Sequence, residues 1–201
     1  RQALFAVLTW GKYKRIWFPY YFCYDVVNYI RRTGIKISFY SDFPGNQNDD
    51  SVINTLDFQV GDVVLRMNYF GTRGWRDNTN IPVPVIEDHS HDLIGEWAMK
   101  SNADWCIASL RKTLPVAEGG VLWSPVGHVL PQVEQTNENE SFSRTRFSAM
   151  KMKRRYLAGE NIEKEKFRCI YRETELGFEN LPLSRISLDS MKLVQCIDIL
   201  E

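Results

Sequence analysis

Six runs of apolar and β-branched residues recur along the chain: "RIWFPYYF", "IKISFYSD", "DVVLRMNYFG", "VPVIEDH", "DWCIASL" and "GGVLWSP". Each has the length and composition of a β-strand, and most end in polar or glycine-bearing residues. Between several of them lie stretches of helical spacing. "YDVVNYIRRTG" closes on Gly34 as a helix C-cap does, and "DDSVINTLDFQVGD" carries apolar residues at helical intervals. Alternating strand and helix predicts an α/β fold, a three-layer sandwich with a mostly parallel sheet covered on both faces. Ligands in such sheets bind beyond the carboxyl ends of the strands, so the residues that follow each run matter most.

After "GGVLWSP" the pattern changes. "EQTNENESFSRTR" reads as a polar loop, and "FSAMKMKRRYLAGENIEKEKFRCIYRETELGFEN" has helical spacing with many charges. Its basic cluster "KMKRRY" reads as a solvated helix face. The expected organisation is a large domain over residues 1–180 and the start of a small, truncated one over 181–201. The chain lacks an initiator Met and opens on a helical stretch, so it is expected to be a fragment.

Composition narrows the classes of partner. The 201 residues carry 25 basic and 25 acidic side chains and no net charge, so no basic field exists to collect phosphate backbones, and nucleic acid is not expected. No apolar run approaches the roughly 18 to 20 residues that span a bilayer, so no membrane association is expected. The four cysteines, Cys23, Cys106, Cys169 and Cys196, form no CxxC pair. That usage fits a reducing, cytoplasmic setting better than a disulfide framework or zinc ribbon.

Reactive side chains gather after three of the strands, in "EDHSH", "SLRK" and "EGG". A lysine at a strand end, with a serine before it and a double glycine after it, suits imine chemistry. The amine of Lys112 can attack an aldehyde while Ser109 and loop amides hold a phosphate. Taken alone, Lys112 reads more readily as an ordinary surface lysine, since lysines are mostly exposed. Asp88 supplies context, because pyridoxal 5'-phosphate needs a carboxylate at its ring nitrogen as well as a lysine. Asp88 could instead cap a helix over "HSHDLIGEWAM". His91 could donate to the phenolic oxygen, and the small Ser90 would let the ring lie close. A metal site is the other reading: an HxH on a strand would point His89 and His91 to one face, with Asp88 or Asp92 as a third ligand. That reading leaves Lys112 and the Gly119-Gly120 pair unexplained, and no metal is expected.

From Arg1 to about Trp123 the order of these elements resembles the large domain of fold-type I pyridoxal-phosphate enzymes. Within them it is similar to the DegT-type aminotransferases of nucleotide-linked sugars. The resemblance rests on "IWFPYYFCYDVVNYIRRTGIKISFYSD", "VVLRMNYFG", "VIEDHSH" and "SLRKTLPVAEGG". It implies an aspartate-aminotransferase-like large domain with Lys112 as the internal aldimine lysine and Asp88 at the ring nitrogen. It further implies His91 at the phenolic oxygen, Ser90 under the ring, Ser109 on the phosphate and the ring-stacking position near Cys23, with Tyr21, Phe22 and Tyr24 as substitutes. A partly buried lysine amine, a phosphate turn just before Arg1 and a homodimer with its sites at the interface are implied as well. The chain departs from the DegT pattern in three places, the first being that Cys23 falls near the position of the ring-stacking aromatic. Two residues rather than four separate Ser109 from Lys112, as in the aspartate-aminotransferase branch, and His89 stands where a small residue is usual.

The activity so implied is transfer of an amino group from an amino-acid donor to a keto-sugar or related small carbonyl compound. The same imine also serves dehydratases, decarboxylases and aldolases of this fold. A ligand-binding protein without turnover and a metal-dependent hydrolase using His89 and His91 are the remaining alternatives.

Overall fold

The computed structural model describes residues 1–46 and 48–197 and divides into two compact units. The first comprises residues 1–113 and 120–132, and the second comprises residues 114–119 and the chain from Val133 onward.

All six expected strand runs form strands of one sheet in the first unit. They are β1 (Arg15–Pro19), β2 (Lys36–Tyr40), β3 (Asp62–Met67), β4 (Val85–Asp88), β5 (Trp105–Ser109) and β6 (Gly120–Trp123), in the spatial order β2-β1-β3-β4-β5-β6. The first five pair in parallel and β6 runs antiparallel to β5, so the fold is α/β with a mostly parallel sheet, as expected. Central strand β3 is buried along its whole length, which explains why "DVVLRM" shows no polar alternation.

Side chains along each strand alternate between two covered faces. On one face Ile16, Phe18, Val63, Leu65, Ile86, Trp105 and Ile107 meet helix α1 (Gln2–Trp10) through Leu4, Val7 and Leu8. Helix α2 (Tyr24–Arg32) joins the same cluster through Val27 and Ile30. On the other face Val64, Val85 and Cys106 pack with Tyr40, Ala103 and Ile53, the last of these from the single turn α3 (Asp50–Ile53). Helix α2 ends as its sequence announces: Arg31 and Arg32 occupy its last turn, and Gly34 takes a φ of +85°.

The helix expected over "DDSVINTLDFQVGD" stops after α3. Competing bonds claim the residues that would continue it: Arg15 donates to the Asp57 carbonyl at 3.1 Å, and the Gln59 N–H donates to the Asp62 carboxylate three residues on at 2.9 Å. A fourth helix in this unit, α4 (Glu96–Lys100), is short and buries Trp97 and Ala98.

The second unit is helical. Helix α5 (Asn137–Leu157) begins well before the expected position, inside the stretch that reads as a polar loop. Its start is a local device: the Thr136 hydroxyl accepts from the Asn139 N–H at 3.2 Å, and Glu138 and Glu140 occupy the first turn. Helices α6 (Lys164–Gly177) and α7 (Leu188–Cys196) complete the unit. Its interior is unusually polar. Glu118 accepts from the Ser187 N–H at 3.0 Å and hydroxyl at 2.7 Å, and Arg146 donates to Thr174 at 2.9 Å. The "KMKRRY" stretch is mostly exposed, as expected of a solvated face. Among the described residues no helix is long and apolar enough to cross a membrane.

Candidate functional site

The parallel strands β3, β4 and β5 end side by side, and the residues that leave them are cross-linked. The Asn68 N–H donates to the Asp88 carbonyl at 3.0 Å, and the His89 N–H donates to the Ile107 carbonyl at 2.8 Å. The Ser90 hydroxyl accepts from the Ser109 N–H at 2.9 Å, which ties the exit of β4 to the exit of β5. These bonds tie the backbone at the three strand ends together.

Asp88 is the last residue of β4 and is 8% exposed. Its Oδ1 accepts from the Ser90 N–H at 2.8 Å, closing a local turn. It caps no helix, because α4 starts at Glu96 with Gly95 in the N-cap position. Oδ2 takes no hydrogen bond among the described residues. A nearly buried carboxylate with one oxygen open is poorly satisfied by the protein alone and suits a cationic N–H donor.

His91 is half-buried beside it. Its Nδ1 accepts from the Phe70 N–H at 3.2 Å, and the two rings stack with centroids 4.8 Å apart and planes 5° from parallel. Burial lowers the imidazole's pKa and the Lys112 ammonium lowers it further, against a smaller opposing pull from Asp88. The charges of Lys112 and Asp88 thus both reach His91.

Lys112 ends the 3-10 turn Leu110–Lys112 that follows β5. Its side chain is exposed, not partly buried as the sequence implied. Ser109, at the end of β5, is half-buried. Cys23 is exposed at the N-cap of α2. The backbone nitrogen of Arg1, at the start of α1, lies in the field of Asp88, Cys23 and Arg111, so both helix starts adjoin the same strand ends. Asp88, Ser90, His91, Ser109 and Lys112 therefore share one end of the sheet.

The HxH pair does not converge. The strand ends at Asp88, so the alternation expected of an extended HxH breaks before His91. His89 is fully buried on the opposite face with its Nε2 3.0 Å from Glu87. A hydrolase metal centre built on both histidines is accordingly not formed. Glu87, His89 and Cys106 do bring donor atoms within 4.8 Å of one another, a set whose chemistry suits a borderline cation. The Glu87 carboxylate is already filled by protein donors. Ser101 donates to it at 2.6 Å and Asn78 at 2.8 Å, with His89 as the third partner. These donors outweigh the burial that opposes its charge and hold its pKa below the usual carboxylate range.

The loop after β3 contains the parts that the sequence did not announce. Arg73 forms a buried ion pair with Asp42 at 2.7 Å, donates to the Phe43 and Asn46 carbonyls, and lies 4.5 Å over the Tyr69 ring. The Tyr69 hydroxyl donates to the Tyr21 carbonyl at 2.7 Å. Phe70 then takes the left-handed conformation, with a φ of +55°. An arginine in "GTRGWRDN" reads as solvated, and nothing in the sequence marks Phe70 for an unusual backbone; only the adjoining Gly71 hinted at a turn there.

No family model matches the chain, and no curated protein matches it. Among solved structures, one titled a crystal structure of the SepCysS-SepCysE N-terminal domain complex is similar, with a TM-score of 0.43 and 13% sequence identity. The match covers 65% of this chain and 43% of that one, so the chain spans less than half the length of this neighbour.

Proposed function

We propose that the chain is the large domain of a pyridoxal-phosphate-dependent enzyme, and specifically of an aminotransferase acting on a keto-sugar or related small carbonyl compound. The observation that carries the reading is the convergence at one sheet end of three groups: the half-open carboxylate of Asp88, the imidazole of His91 and the amine of Lys112. They have the chemistry that this cofactor requires of its protein.

In this reading Asp88 holds a protonated ring nitrogen with its open oxygen, and His91 faces the phenolic oxygen. Ser90 lies under the ring, and Ser109 with the start of α1 receives the phosphate. Cys23, or a neighbouring aromatic, meets the other ring face. Lys112 is the nucleophile and later the base that moves a proton between carbon atoms, roles for which a mobile amine at the mouth of the site is suited. When bound, the cofactor supplies an electron sink that the side chains lack. Exposed Tyr20, Tyr21, Tyr24 and Phe43 follow β1 and β2 and support a second copy covering this end, in a cytoplasmic homodimer.

Absorbance of the protein with added pyridoxal phosphate tests the assignment. A visible band that borohydride traps is expected, and Lys112→Ala should abolish both. A trapped adduct that persists in the variant would remove Lys112 from the reading. Conversion of the band by an amino-acid donor would separate transamination from elimination, decarboxylation and aldol chemistry.

A further inference from the structure

The structure assigns to Phe70 a positioning role: its backbone N–H fixes His91 in the neutral tautomer that carries its proton on Nε2, so the site presents an N–H donor to an acceptor oxygen on the ligand. The identity of that oxygen as the cofactor's phenolic one rests on the function proposed above; the tautomer does not.

The argument starts from hydrogen-bond chemistry. An amide N–H can only donate, so the Nδ1 that receives it at 3.2 Å must carry a lone pair. A neutral imidazole with a bare Nδ1 has its proton on Nε2. The opposite tautomer and the imidazolium would each set one N–H against another. Nε2 itself has no partner among the described residues, which leaves the donor available to a ligand.

The conformation of Phe70 points the same way. A non-glycine residue in the left-handed region costs roughly 1 kcal/mol or more, and such strain persists only where the surroundings impose it. Hydrophobic burial does not impose it here, since Phe70 is 57% exposed. Its N–H bond to Nδ1 and its ring stacking fall on the same imidazole. The turn is anchored on either side. Tyr69 is buried and bonded to the Tyr21 carbonyl, the Thr72 N–H and hydroxyl both return to the Tyr69 carbonyl at 3.0 Å, and Gly71 takes a φ of +67°. A stiff turn thus holds one donor against one nitrogen. With Asp88 Oδ2 open as an acceptor, the site then offers one acceptor and one donor, complementary to a ring with an N–H and an oxygen.

The tautomer can be read without any ligand by long-range proton-nitrogen NMR on protein labelled with 15N-histidine. Only three histidines are present, and His91→Gln identifies the signal. The expected result is a His91 imidazole almost wholly in the Nε2–H form. Phe70→Gly, which keeps the N–H and tolerates the same φ, should retain it; Phe70→Val, whose β-branch resists that φ, should give a mixed population. A wild-type imidazole in the Nδ1–H form or an even mixture overturns the proposal, as does a Phe70→Gly protein that loses the bias. Pyridoxal-phosphate titration adds the link to function. Phe70→Val should weaken binding about tenfold. A correct tautomer without cofactor binding would sink the proposed function and leave the role of Phe70 intact. Cofactor binding with the wrong tautomer would do the reverse.

Discussion

Glu87 and Asp88 are consecutive residues whose carboxylates stand on opposite faces of the sheet. Glu87 pairs across the strands with Arg66 and Cys106 and is closed in by Asn78, Ser101 and His89. Asp88 follows Ile86 and Ile107 onto the face of α1 and keeps one oxygen open. One acid is satisfied by protein and the other is not. The first has the environment of a structural residue, and the second that of a ligand-binding one.

This division predicts separable losses. Asp88→Ala is expected to weaken pyridoxal-phosphate binding by roughly 10- to 100-fold, the range for a lost hydrogen bond to a charged group. Its folding stability should change by less than about 1 kcal/mol, because only the bond from the Ser90 N–H is lost. Absorbance titration and urea unfolding of the same protein measure the two. A variant that binds the cofactor as wild type does would remove Asp88 from the site.

Glu87→Gln should behave oppositely. Its amide sets two protons among donors that now find an acceptor, and burial excludes water from the mismatch. A loss of about 2 to 4 kcal/mol is expected in urea unfolding. A stability within 0.5 kcal/mol of wild type, about the size of an ordinary surface substitution, would show that the network around His89 is not specific.

The contrast between these neighbours also shows what was legible in the sequence. The six strands, their mainly parallel pairing and the cluster of Asp88, His91, Ser109 and Lys112 at the strand ends follow from local composition and from the rule that ligands sit at carboxyl ends. Strand alternation separates Glu87 from Asp88, whereas what separates His89 from His91 is where β4 stops. That boundary is set by cross-strand bonds to Asn68 and Ile107, which no local pattern encodes. The early start of α5 escaped for another reason. Its inward face carries Asn139, Ser143 and Arg146, buried polar residues hydrogen-bonded to the Arg185 carbonyl, Ser187 and Thr174, so hydrophobic periodicity is silent there.

Stability should fall at acid pH through identifiable groups. Burial opposes charge on Asp49, but Arg66, with Arg73 and Arg76, outweighs it and lowers its pKa; Glu87 is lowered as well. A group depressed in the folded state contributes stability above its unfolded pKa, roughly 4 for these acids, and loses it as pH drops through the folded value. Urea midpoints should therefore be flat above about pH 5 and decline below about pH 4. Asp49→Asn should lower the plateau and flatten the decline; an unchanged slope would mean that other acids carry it.

Arg73 links this electrostatic core to the site. Its guanidinium is fully buried, donates to both oxygens of Asp42 at 2.7 and 3.0 Å, and donates to the carbonyls of Phe43, Asn46 and Met67. Removing one member of such a pair strands the other charge in the interior, so Arg73→Met and Asp42→Leu should each cost about 3 to 5 kcal/mol. The double variant should cost clearly less than their sum, because neither charge remains unpaired. A single Arg73→Lys exchange should recover only part of the loss, since an ammonium cannot reproduce the planar fork that reaches Asp42 and three carbonyls together. Because the same arginine lies over Tyr69, the residue before Phe70, these variants should also loosen the turn against His91 and shift its tautomer. Urea unfolding of the four proteins and the His91 NMR signal test both halves. Additive losses would show that the pair is not coupled, and an undisturbed His91 would show that the turn holds without Arg73.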